Sequence, residues 1–160
     1  MGRRKIKSVE QSHRRAILLT MWSQYTLQTR TRGRGTYDVT ADIDQGIADS
    51  GIMTGLAHLF LQHTSASLIL CENADPDVRH DLEGFLSRLA PDGDPHYRHD
   101  QEGPDDMAAH LRTVLTFSSL SLPITQGRLA LGIWQSIYVY EHRTAAQTRS
   151  IMITLQGKGD

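Results

Sequence analysis

Four strand-length apolar stretches crowd the C-terminal third of the chain: Ser118 to Thr125, Arg128 to Ile133, Gln135 to Glu141 and Arg149 to Leu155. Gln126-Gly127 and the polar segment Arg143 to Ala146 separate them. Strands at this spacing, broken by turn residues, predict an antiparallel meander. Upstream, Trp22 to Arg32 roughly alternates, as an edge or half-buried strand does. Gly33 and Gly35 mark a turn, and Tyr37 to Val39 is expected to pair back. Gly55 to His63 and Ala66 to Cys71 read as two buried strands. Helix signals are fewer. Thr40 is a plausible N-cap for a helix over Ala41 to Ser50, closed by Gly51. Asp75-Pro76 opens a second, with Val78, Leu82, Phe85, Leu86 and Leu89 forming an apolar stripe. Pro104 opens a third, with Asp105 and Asp106 in its first turn, to about Leu115. Strands and helices do not alternate regularly, which favours an α+β fold over a doubly wound sheet.

A chain of 160 residues, 39% of them hydrophobic, suits one domain with one core. No apolar run approaches the roughly 20 residues that cross a bilayer, so no membrane span is expected. The single cysteine, Cys71, allows no intrachain disulfide, which fits a reducing, cytoplasmic setting. Residues 1–20 carry Arg3, Arg4, Lys5, Lys7, Arg14 and Arg15 against Glu10 alone. We read them as a basic, disordered extension, with Met21 as a candidate natural start, and 21–160 as the domain. The domain holds 11 basic and 17 acidic residues. Phosphate backbones demand clustered Lys and Arg, so no nucleic-acid partner is expected for it.

Chemistry is concentrated between His63 and His110. Five of the eight histidines, His63, His80, His96, His99 and His110, fall there. His63 ends a predicted strand, His99 sits in a loop beside Asp100 and Glu102, and His110 lies on a predicted helix. Asp106, four residues before His110, shares its helical face and is suited to orient the imidazole. His63, His99 and His110 are candidate ligands for a divalent metal, zinc above all, with a position left open for water or substrate. They serve equally as surface or satisfied core histidines, because no His-x-x-x-His or Cys-x-x-Cys pair is present. Ser65 and Ser67 lack a nucleophile elbow, and Cys71 reads as a small buried hydrophobe. Glu102 and Glu141 are the acid–base candidates without an evident capping role. Arg128, after a turn glycine, is suited to a phosphate or carboxylate, or to an acid of the protein. Trp134-Gln135 reads as strand packing or as a ligand platform.

The series His63-Thr64-Ser65-Ala66, Glu72 to Val78, His99 to Gly103, Asp105 to His110, Pro123-Ile124, Gly127-Arg128-Leu129, Gly132-Ile133-Trp134-Gln135 and Glu141-His142 resembles the YjbQ-like family, also called the secondary thiamine-phosphate synthase family. The resemblance spans about Met21 to Gly157. It implies a compact α+β domain with an antiparallel β-sandwich-like core and a few helices, assembled as a homotrimer with sites near subunit boundaries. It implies that His63, His99 and His110 form the polar centre, and that Glu102, Asp106, Arg128, Trp134, Gln135 and Glu141 line it. Ser136 and Ile133 stand where the family commonly has Gly and Thr.

The family name implies coupling of a hydroxymethylpyrimidine diphosphate to a thiazole phosphate with loss of pyrophosphate. Diphosphate departure is usually helped by Mg²⁺. A three-histidine centre suits zinc and hydrolysis better. Three functions are therefore expected to compete: the synthase, a metal-dependent hydrolase of a small metabolite, and a non-catalytic trimeric protein that binds a metal or metabolite.

Overall fold

The computed structural model describes residues 20–159. All but the last residue of the basic segment 1–20 lies outside them. The elements are β1 (Met21–Arg30), β2 (Gly35–Asp38), α1 (Thr40–Ser50), β3 (Thr54–Leu61), β4 (Ala66–Glu72), α2 (Pro76–Leu89), α3 (Asp106–Leu115), β5 (Ser119–Thr125), β6 (Arg128–Leu129), β7 (Gln135–Glu141) and β8 (Thr148–Lys158). They build two antiparallel sheets, ordered β1-β8-β3-β5-β6 and β2-β7-β4. One apolar cluster joins them. Leu59 and Leu61 of β3 and Ile151, Ile153 and Leu155 of β8 pack with Leu68 of β4 and with Ile137 and Val139 of β7. The expected α+β domain with a sandwich-like core is the fold found.

The expected meander is not. Among the described residues only β5 and β6 form a hairpin, through Gln126 (φ 54°) and Gly127 (φ 72°). Positive φ at both central residues matches the twist of the flanking strands. β7 instead sits between β2 and β4, and β8 between β1 and β3. Sequence spacing gives strand order only when neighbours pair. Here the chain crosses from one sheet to the other between β7 and β8, and apolar faces meet across the sandwich instead. The strand expected over Arg128 to Ile133 ends at Leu129.

Helix α1 covers one end of the core with Ile43 and Ile47, one turn apart and both fully buried. Thr40 does not cap it; its hydroxyl accepts from the Ile137 amide of β7 at 2.9 Å. Gly46 is where α1 meets β1: a Cβ there would overlap the Tyr25 hydroxyl oxygen. Helix α2 starts as expected, with Asp75 accepting from the Asp77 amide at 2.9 Å and Pro76 at the first position. Its predicted stripe is a core face only in part: Leu86 is buried with Ile69, Tyr138 and Tyr140, and Leu82 packs against them, while Val78, Phe85 and Leu89 are exposed. What ties α2 to α3 is polar. Arg112 of α3 is fully buried, donating from Nη1 to Glu83 Oε1 at 3.0 Å and from Nη2 to the Ala90 carbonyl at 3.0 Å. Ala108 and Ala109 let α3 lie close on β4, where the Thr113 hydroxyl donates to the Ala66 carbonyl at 3.4 Å. Among the described residues no helix is long and apolar enough to cross a membrane.

Candidate metal centre

The first turn of α3 and the loop before it bring three ligand-type side chains together. One atom each from His99, Asp106 and His110 lies within 4.8 Å of the others. His99 comes from the loop and is half exposed, His110 is partly buried, and Asp106 is 2% exposed. His110 Nδ1 is 2.8 Å from the Thr64 carbonyl. A carbonyl only accepts, so Nδ1 carries the proton and Nε2 of the neutral ring carries a lone pair. That lone pair faces Asp106 Oδ2 at 3.5 Å. His99 Nε2 is 2.7 Å from the same oxygen, yet no N–H points along that line, and Oδ2 is buried without an aligned donor. Two imidazole nitrogens and a carboxylate oxygen this close together form a donor set that fits a divalent cation.

The opposite oxygen of Asp106 is held by Arg143 Nη1. Arg143 also donates from Nε to Asp105 Oδ2 at 3.2 Å and from Nη2 to the Glu102 carbonyl at 2.7 Å. Asp105 Oδ2 further accepts from the Thr144 amide at 2.7 Å and hydroxyl at 2.9 Å. Burial pushes the Asp105 carboxyl up, but the Thr144 and Arg143 hydrogen bonds outweigh it and hold the group down at about 2. Asp105 thus anchors the Arg143 turn to α3. The Glu102 carboxylate is largely exposed at the rim, 3.9 Å from Arg143 Nη1.

His63 is not one of the three converging groups. Its Nε2 accepts from the Ser150 amide at 2.8 Å, and its Nδ1 lies 3.4 Å from Arg149 Nη1. Burial and the Arg149 charge lower its pKa, against the opposing pull of Glu141. Glu141 is fully buried. It accepts from Arg149 Nε at 2.7 Å and Nη2 at 2.5 Å, from the Thr31 hydroxyl at 3.0 Å and from the Arg143 amide at 2.9 Å. His63 and His110 share a cleft of about 450 Å³, with Val114 and the hydroxyl residues Thr113, Thr116 and Ser118 on its walls.

Arg128 and Gln135 line a different cleft, of about 640 Å³, with Asn73 and Asp44. Gln135 opens β7 and Glu141 ends it, so the two groups of residues are separated by roughly 20 Å of strand. Trp134 is exposed beside this cleft, and its carbonyl accepts from the Asn73 amide at 3.1 Å. Sequence reasoning missed Arg143 and Arg149. Arg149 offered one clue, since an arginine inside an apolar strand demands a buried acid. Arg143, in a polar turn, offered none.

The family model described as "UPF0047 protein YjbQ-like" matches residues 23–158. The chain is 48% identical over 139 residues to a UPF0047 protein YjbQ of Escherichia coli O157:H7, covering 86% of this chain and all of that one. It is 43% identical over 135 residues to a UPF0047 protein of Synechocystis sp., covering 84% and 92% of the two chains. A solved structure, a conserved hypothetical protein from Thermus thermophilus, superposes with a TM-score of 0.74 at 35% identity, over 82% of this chain and 98% of that one. The chain belongs to the UPF0047, YjbQ-like family.

Proposed function

We propose that this protein is a metal-dependent enzyme acting on a small polar metabolite by assisted hydrolysis, with His99, Asp106 and His110 holding a zinc-type divalent ion. The observation that carries this reading is the buried Asp106 Oδ2, which has no aligned donor and faces the lone pair of His110 Nε2. Two imidazoles and one carboxylate suit zinc or a related transition ion better than Mg²⁺, which prefers an all-oxygen shell. When bound, such an ion acts as a Lewis acid and brings the pKa of a water toward neutrality. The chain's own residues supply the rest. Thr64 sets the His110 tautomer, Arg143 orients Asp106, and the half-exposed His99 leaves one side open to a ligand. The adjoining cleft, with hydroxyls and one apolar wall, accommodates a small organic group.

A second reading is the thiamine-phosphate synthase reaction. Arg128, exposed on the larger cleft with Asn73 and Gln135, favours it by offering a cation for a phosphate. Within one chain that cleft stands at the far end of β7 from the histidines. The synthase reading therefore goes with a homotrimer in which a neighbour's Arg128 approaches the metal ligands. Exposed Val114 and Phe117 near one region, and Ile133 and Trp134 near the other, support such an interface.

The test is turnover by untagged protein, with and without zinc, in two assays. One offers phosphate and carboxylate esters. The other offers hydroxymethylpyrimidine diphosphate with thiazole phosphate. Zinc-supported hydrolysis that is lost in His110→Ala is expected. Pyrophosphate release only with both substrates present would move the assignment to the synthase. Zinc binding with neither product would leave a binding protein.

A further inference from the structure

We infer that His63 and Arg149 form a two-donor cradle for an oxygen atom of the ligand, separate from the metal ligands. The Ser150 amide donates to His63 Nε2 at 2.8 Å. An amide N–H cannot accept, so Nε2 carries the lone pair and the ring proton sits on Nδ1. That Nδ1–H faces Arg149 Nη1 at 3.4 Å, and a guanidinium has donors only. The opposite tautomer would relieve this contact by setting two N–H groups against each other at 2.8 Å on the Ser150 side. Two donors therefore face one region with no acceptor between them.

The rest of Arg149 is committed. Nε and Nη2 hold Glu141, and Nη2 also reaches the Ser65 hydroxyl at 3.1 Å. Among the described residues Nη1 meets only His63 Nδ1. Glu141 neutralises the guanidinium, and the Ser150 bond keeps His63 in its neutral form. The cradle thus presents two N–H groups without net charge. This suits a carbonyl or phosphoryl oxygen and repels a cation, which separates His63 from the three converging ligand atoms. His63 lines the cleft that His110 also lines, so an oxygen seated there belongs to a molecule lying beside the metal centre. Preorganised donors in such a place orient a substrate oxygen and strengthen as negative charge develops on it.

The experiment uses the full chain labelled with ¹⁵N-histidine, with and without added zinc, and assigns His63 by comparison with His63→Gln. Long-range ¹H–¹⁵N correlation reads the tautomer directly. An Nδ1–H tautomer is expected in both samples, so the outcome stands whatever zinc does at His99 and His110. Acetamide and inorganic phosphate are then titrated separately, as carbonyl and phosphoryl probes. At least one is expected to shift the His63 Nδ1 signal saturably and to bind roughly tenfold more weakly to the double variant Glu141→Gln/Arg149→Met. Should that variant not fold, the same loss is read in uniformly ¹⁵N-labelled wild type and His63→Gln from shifts of the Ser65 and Ser150 amides. An Nε2–H tautomer, loss of the Nδ1 proton on adding zinc, silence with both probes, or unweakened binding in the variants would each overturn the inference.

Discussion

His99 Nε2 stands 2.7 Å from Asp106 Oδ2, at hydrogen-bonding distance but without a hydrogen aimed along the line. The carboxylate cannot turn to improve the contact, because its other oxygen is held by Arg143. A carboxylate oxygen left this way is a buried acceptor without an aligned donor, which costs about 1–3 kcal/mol. A divalent ion among the three ligand atoms removes that deficit.

Metal content follows directly. About one zinc per chain is expected after reconstitution of wild type, and a loss of most of it in His99→Ala and in His110→Ala. His63→Ala is expected to keep its zinc, since that imidazole is engaged by Ser150 on one side and by a guanidinium on the other. Elemental analysis of the three variants decides this. Equal loss in all three would restore the three-histidine centre expected from sequence.

Zinc is also expected to raise the melting temperature. A ligand at 100 times its Kd stabilises the folded state by about 2.7 kcal/mol. For a domain of this size that corresponds to roughly 5–11 °C. The shift is read by thermal unfolding across a zinc series and is expected to vanish in His110→Ala. A shift that persists there would place the ion elsewhere.

Glu141 is expected to act on stability before chemistry. Glu141→Ala leaves Arg149 charged, buried and short of two acceptors, a change that costs about 3–5 kcal/mol. Urea unfolding measures the loss. Glu141→Gln/Arg149→Met, which removes both charges together, is expected to recover a large part of it. A Glu141→Ala protein as stable as wild type would mean the pair is solvated in solution.

These contrasts show what local sequence carries and what it does not. Asp75-Pro76 marks the start of α2 because cap and first-turn chemistry act within a few residues. Helical spacing pairs His110 with Asp106, and they do face each other. His63 joins them in sequence on loop and strand-end position alone. The contact that withdraws it runs to residue 150, and sequence separation hides such a bond. Glu141 reads in sequence as a free acid–base candidate because its partners Thr31 and Arg149 come from strands of the other sheet or its margin. The α2 stripe has the right period, but period tells which residues share a face and not whether anything covers it.

His142 supplies the pH dependence. It is fully buried, with Nε2 2.9 Å from the Ser67 hydroxyl, Nδ1 without a partner among the described residues, and the Tyr140 ring 4.5 Å away. Burial, and then the charges of Arg112, Arg34 and Arg149, push its pKa down to about 3. Unfolded, the imidazole titrates near 6.5. The folded state therefore binds this proton less readily than the unfolded state does. The resulting stability is complete above about pH 6.5 and is lost as the pH falls toward 3, by up to about 1.4 kcal/mol per pH unit. Urea midpoints taken from about pH 7 down to about pH 4 are expected to fall steeply in wild type. They are expected to fall much less in His142→Gln, which keeps a neutral polar group beside Ser67. The other ionisable groups are common to both proteins, so the difference between the two curves isolates the imidazole. Parallel curves would mean that His142 takes up its proton within the folded state, through a local opening of the β7 end.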